Sequence, residues 1–203
     1  MPSSAQISES QLVPAALAVL DEQGLEGLSM RVLAERLGVR AASLYGHVRN
    51  KEDLLARVSD AICTAALAGA PDLSWRETLR WVAERLRSEL RRHPGAAAVA
   101  ASQQVTPEVA ARFAPLVGRL AEQMRCTMTD ASFAVQSIYL FTAAHALAEH
   151  GNPPSEPSKP RSYYDKWFRY ALDALVNGLG QIHLDAVGDL TSPARDAIEG
   201  AMT

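Results

Sequence analysis

Cysteine is scarce: Cys63 and Cys126 are the only two in 203 residues. Neither has a Cys or His partner at zinc spacing, so a zinc module is excluded and both are read as reduced, packed thiols. Runs of alternating or β-branched residues long enough for a strand are missing, which excludes a sheet. Long apolar runs are missing too. The most extended, Ala61 to Ala70 and Gly95 to Ala101, fall well short of the ~18 residues of a spanning helix, so no membrane partner is expected. The opening Met1 to Ser10 lacks the basic and apolar regions of a secretory signal, and a cytoplasmic address is expected. There is no glycine-rich phosphate loop, no Gly-x-Ser-x-Gly elbow, no His-Glu-x-x-His and no nucleophile-base pair, so neither an enzyme nor a cofactor is expected. A basic excess is also lacking. The net charge of -3 argues, taken alone, against a phosphate-rich partner.

What the chain does have is apolar spacing of the helical period almost throughout, with 48% apolar residues to build a core. The fold class is all-α. Leu12, Ala16, Val19 and Leu20 share one face of a first helix, with Ser8 and Gln11 at capping-box spacing and Gly24 as its stop. Pro14 argues for a start near Ser10, which puts the proline in the first turn. Ser29 caps a short helix ended by Gly38, and a second short helix is predicted from about Ala41 to His47. Asn50 caps a longer helix reaching Gly69, and Gly69 to Leu73 marks a boundary between two domains, 1–67 and 68–203. Beyond it, Ser74 and Glu77 cap a helix ending at His93 and Pro94, followed by a short alanine-rich helix. Thr106 and Pro107 open one running to about Met124, Asp130 one running to Gly151, and the last spans about Tyr163 to His183. The four prolines between Asn152 and Arg161 predict a mobile loop, and the tail after Gly188 is expected to be loosely ordered.

The distribution of charge points the other way from its sum. Between Ser29 and Lys51 stand Arg31, Arg36, Arg40, Arg49 and Lys51 against a single carboxylate, Glu35. Two short helices joined by a glycine turn form a helix-turn-helix, in which the second helix enters a major groove while the first crosses the backbone. Leu28 to Lys51, with its Leu-Gly-Val turn, Leu-Tyr-x-His-Val in the second helix and Asn-Lys opening the next, resembles the DNA-binding region of the tetracycline-repressor family. The likeness reaches back through Ala15-Ala16-Leu17 and Gly24 to Leu28. A weaker, gapped likeness continues through Ser74-Trp75-Arg76 and Leu90 to Val99.

The resemblance implies roles residue by residue. Arg31 would reach a guanine edge or a phosphate; Ala41, Ala42 and Ser43 would face bases; Tyr45, His47 and Lys51 would grip phosphates. Arg40 and Arg49 could add backbone contacts. The family's tetracycline-binding members carry glutamine, proline and tryptophan where this chain has Ala41, Ala42 and Gly46, so a different double-stranded DNA operator is implied.

The resemblance also implies a ligand pocket in the second domain. Thr64, Val82 and Ala100 stand where those members hold a magnesium-bound drug, and they cannot ligate magnesium. Val82, Leu86, Gln103, Gln104, Ser132, Val135, Gln136 and Tyr139 would instead line a mainly apolar pocket for an uncharged small-molecule inducer. The last two long helices are apolar on more than one face and would pair with a second copy in a homodimer reading a palindrome. His145 and Glu149 share a helix face with His150 nearby, yet no third ligand has matching spacing, so no metal site is assigned and a capping or surface role is expected. The cluster Tyr163, Tyr164, Trp167, Phe168 and Tyr170 is read as core. The expected function is a ligand-released dimeric repressor, with a constitutive DNA-binding protein or a ligand-dependent activator as alternatives.

Overall fold

The computed structural model describes residues 8–180, and among these every regular element is a helix. α1 (Glu9–Gly27) starts where the Gln11 side chain accepts from the Ser8 N–H at 2.9 Å. That cap moves the start ahead of the expected Ser10, so Pro14 lies beyond the first turn, where its ring faces solvent. Gly24 breaks the helix as expected, with φ 69° and ψ -174°, but one more turn follows it.

α2 (Met30–Leu37) is capped by Ser29, whose hydroxyl accepts from Val32 N–H at 3.2 Å, and closes on a left-handed Gly38 at φ 68°. α3 (Ala41–Leu44) is one turn only; the expected continuation to His47 is a turn instead. α4 (Lys51–Leu67) begins with Asn50 Oδ1 accepting from Asp53 N–H at 2.8 Å. α5 (Trp75–Arg92) carries the Ser74 and Glu77 capping box. α6 (Ala96–Ser102) and α7 (Pro107–Met124) follow, the second starting where Asp60 of α4 accepts from both the backbone and the hydroxyl of Thr106 at 2.8 Å.

α8 (Met128–His150) starts before the expected Asp130, because Thr127 is the cap and Asp130 is the third helical residue that answers it. By length and mean hydropathy α8 could cross a membrane. Its buried Asp130, His145 and Glu149 instead find their surroundings inside the protein, where it packs on α5, α6 and α7. α9 (Arg161–Leu179) is the last described helix. The expected continuation to His183 and the tail lie outside the described residues.

The core has two parts that share α4 and α5. Leu12, Leu20, Leu33, Leu44, Leu54 and Val58 form the first with Leu86 and Leu90, and the alanines of α6 join them. Cys63 and Leu67 at the other end of α4 join Leu79, Val82, Leu116, Ile138 and Phe168 in the second. Small residues let α6 lie against α1: a Cβ on Gly95 would collide with the Leu20 carbonyl. The segment between α8 and α9, expected to be mobile, is tied down. Asn152 Oδ1 accepts from the Leu25 N–H at 2.9 Å, and Ser155 N–H donates to the His150 carbonyl at 2.7 Å.

Candidate nucleic-acid interface

α2 and α3 are held by their apolar sides. Leu33, Ala34, Leu44 and Val48 are buried, and the N–H groups of Gly38 and Val39 close on the carbonyls of Glu35 and Ala34 at 3.2 and 3.0 Å. That turn needs a positive φ at Gly38, which a residue without a Cβ adopts freely. The turn after α3 is fixed from below, where Arg57 of α4 donates to the His47 carbonyl at 2.8 Å. Sequence reasoning misses Arg57, since nothing marks it apart from its helical spacing to Asp53.

The outward side of this unit carries Arg40, Ala42, Ser43 and Tyr45, all exposed, with Tyr45 at 55%. Ala41 and His47 are half-buried, Ala41 packing on the first core. Gly46 leaves open surface: a Cβ there would meet only the Ser43 carbonyl, at 3.6 Å.

The basic residues divide by what they already hold. Arg36 makes a two-pronged pair with Glu22 at 2.6 and 2.7 Å, and its hydrogen bonds hold the Glu22 carboxyl below its usual range. Arg49 gives its backbone N–H and guanidinium to Asp53, which lowers that carboxyl too. Arg31 pairs with Glu35 at 3.2 Å on the open surface, a contact of about 0.3–0.5 kcal/mol that a phosphate can replace. Lys51 Nζ donates to the Leu25 carbonyl at 3.1 Å, leaving two of its three donors uncommitted to that bond. Arg40 stands just ahead of α3 with no ion pair among the described residues. The local basic excess therefore resolves into Arg31, Arg40 and Lys51 around one short exposed helix.

Residues 12–58 match the family model for bacterial regulatory proteins of the tetR family, and residues 68–177 match the tetracyclin repressor-like C-terminal domain. This chain belongs to the TetR family. It is a DNA-binding transcriptional regulator and not an enzyme. Its relatives include the class E tetracycline repressor of Escherichia coli, 33% identical over 154 residues, which are 71% of this chain and 70% of that protein. Among solved structures, BioQ with its double-stranded DNA operator superposes with a TM-score of 0.67 at 29% identity, covering 87% of this chain and 100% of that one. A TetR variant of Acinetobacter baumannii AYE in complex with minocycline gives 0.71 at 25% identity, covering 85% of this chain and 96% of that one.

The TetR-like second region holds the expected ligand contacts in unequal positions. Val82 and Leu86 are fully buried on α5, while Ser132, Val135 and Tyr139 are half-buried along α8 and Gln103 is half-buried after α6. Gln104 and Gln136 are exposed and do not join them. The Tyr139 hydroxyl is buried without a hydrogen bond, and burial pushes its pKa up. Ser59 lies beside it, but its hydroxyl donates to the Gln103 carbonyl at 3.4 Å.

The expectations for the end of α8 are corrected. His145 and Glu149 are neither capping nor surface groups: their side chains are 1% and 3% exposed. Arg91 bridges Glu149 at 2.9 Å and Asp165 at 2.6 Å, and Arg87 reaches Asp165 at 2.9 Å, so the buried carboxylate is answered from α5. Charged residues at core positions of α5 and α8 were the available signal, but their pairing is across the fold. No group of three or more metal-ligating side chains occurs among the described residues. In the aromatic cluster only Tyr164 and Phe168 are core; Tyr163, Trp167 and Tyr170 are exposed.

Proposed function

We propose that this regulator is a homodimeric repressor that holds a palindromic operator and is released from it by a small, mainly apolar organic ligand. The observation that carries the DNA half is α3 itself. It is buried through Leu44 and pinned by Arg57, so it offers a rigid face of Arg40, Ala42, Ser43 and Tyr45 to a groove. In this reading Ala42 and Ser43 meet base edges, the alanine methyl suiting a thymine methyl, Arg31 reaches a guanine edge or a phosphate, and Arg40, Tyr45, His47 and Lys51 hold phosphates and fix the register.

Residues 1–67 form the reading unit and 68–203 the sensing and dimerising unit. The dimer face is the outer side of α8 and α9, where Phe133, Leu140, Tyr163, Trp167 and Tyr170 are exposed together on two adjacent helices. Two copies then place their recognition helices about 34–36 Å apart, one turn of DNA. The relatives bound to operator DNA and to minocycline support both partners. Tetracycline itself is not the expected ligand, since Val82 and Ala100 offer no magnesium ligand and Thr64 only a neutral hydroxyl. Val82, Leu86, Val135 and Tyr139 supply the pocket's apolar wall, with Tyr139 Oη, Ser132 and Gln103 as polar contacts. The ligand favours a conformation in which α4 swings the reading unit off the half-site spacing. The protein works in the cytoplasm, where the operator is.

The test is fluorescence polarisation on the intergenic DNA flanking the gene, at fixed salt. Wild type binds a palindrome tightly, Tyr45→Phe loses about tenfold or more with its phosphate hydrogen bond, and Arg31→Ala weakens binding further. Weak, sequence-blind binding by the wild type at physiological salt would falsify the proposal.

A further inference from the structure

The Gly24 break leaves the Leu25 N–H without its partner one turn back, and the acceptor it finds comes from 127 residues away. Asn152 Oδ1, in the segment joining α8 to α9, accepts that N–H at 2.9 Å. The carbonyl of the same Leu25 accepts from Lys51 Nζ at 3.1 Å. One residue of α1 is thus gripped from both sides, by the segment between the dimer-face helices and by the lysine at the first position of α4.

The approach is close enough to require glycine: a Cβ on Gly24 would stand 2.5 Å from Asn152 Oδ1 and 2.7 Å from Pro153 Cα. Gly24 has φ 69° as well, so both its conformation and its empty side serve the contact.

We propose that Asn152 is a positioning residue for DNA binding: by fixing the Leu25 backbone it holds the Lys51 ammonium where its two remaining donors meet a phosphate. The inference rests on the reading of Lys51 as a phosphate ligand. A lysine carries four rotatable bonds, and losing their freedom opposes binding; a carbonyl that already restrains the ammonium removes part of that cost before DNA arrives. The contact also gives the α8 to α9 region a path to the reading unit that does not pass through α4.

The salt dependence of operator binding reads out this role, because each phosphate contact contributes roughly 0.9 to the slope of log K against log salt. Lys51→Met should make the slope shallower by roughly 0.9 per protomer. Asn152→Ala should weaken operator and non-specific DNA alike by several-fold, with a slope between wild type and Lys51→Met. In the Lys51→Met background, Asn152→Ala should change nothing further. A merely structural Asn152 would lower the melting temperature and leave the slope alone. Asn152 is exposed, and if the alanine variant fails to fold, Asn152→Ser, polar but too short to reach Leu25, carries the same comparison. A wild-type slope for Asn152→Ala beside a shallow one for Lys51→Met overturns the inference; a wild-type slope for Lys51→Met removes the phosphate reading and the inference with it.

Discussion

His145 has an ordinary pKa of 6.5 in water, and in the fold it falls to about 4. Burial is the main cause, and the Arg87 guanidinium adds to it. Both ring nitrogens are buried without hydrogen bonds, and the ring packs 4.7 Å from that of Trp167 and 5.1 Å from that of Phe168. The unfolded chain therefore takes up this proton first. The stability that the neutral ring contributes is complete above pH 6.5 and is lost as the pH falls toward 4, by an amount of about 3 kcal/mol. Urea midpoints measured at pH 7.5 and 4.5 should differ strongly in the wild type and much less in His145→Leu; equal acid sensitivity in both would show that another group is responsible. His150 is shifted the same way by burial and adds to the residual slope, as do carboxyls held below their usual range such as Glu22 and Asp53. Sequence alone makes His145 and Glu149 look like the end of a surface helix, because spacing along one helix cannot show that Arg87 and Arg91 of α5 lie opposite.

At the scale of elements, the starts and stops follow local chemistry. Ser29, Asn50, Ser74, Thr106 and Thr127 all accept from the N–H three residues on. The misplaced starts of α1 and α8 have one physical source: a carboxylate or proline suggests a first turn even where the true cap stands ahead of it, as Thr127 does before Asp130. Which elements touch is a different matter. α6 is almost wholly alanine, a weak signal in sequence, yet Ala96 to Ala100 are all buried and α6 joins α1 to α8. Asp21 of α1 secures the entry to α6, accepting from the Gly95 N–H and pairing with His93, each at 2.9 Å. Gly95→Ala forces a methyl into the Leu20 carbonyl, with backbone on both sides and nothing flexible to yield. It should cost roughly 1–3 kcal/mol, near the upper end, read as a fall in thermal midpoint. Midpoints within error of the wild type would mean that α1 and α6 separate easily.

For the whole molecule, the exposed apolar side of α8 and α9 is the proposed dimer face. Leu140 and Tyr170 lie on it at 53% and 79% exposure, outside both cores, so a charge at each leaves the protomer's own packing intact. Leu140→Asp with Tyr170→Asp should sediment as a monomer and lose most operator affinity, since one protomer spans one half-site; a dimer that persists would place the interface elsewhere. The helix-turn-helix, its turn glycine, the helical class and most caps were written in the sequence, because each depends on residues within a turn or two of one another. The face proposed to read DNA could be named from sequence for the same reason: Arg40 through Tyr45 are consecutive. Only the tertiary structure decided which cations are already paired, as Arg36 is to Glu22 and Arg49 to Asp53. It also decided that Gln104 and Gln136 face outward, that Glu149 is buried against two arginines, and that Asn152 meets Leu25. Those contacts join residues far apart in the chain, and neither helical period nor capping chemistry carries information over that distance.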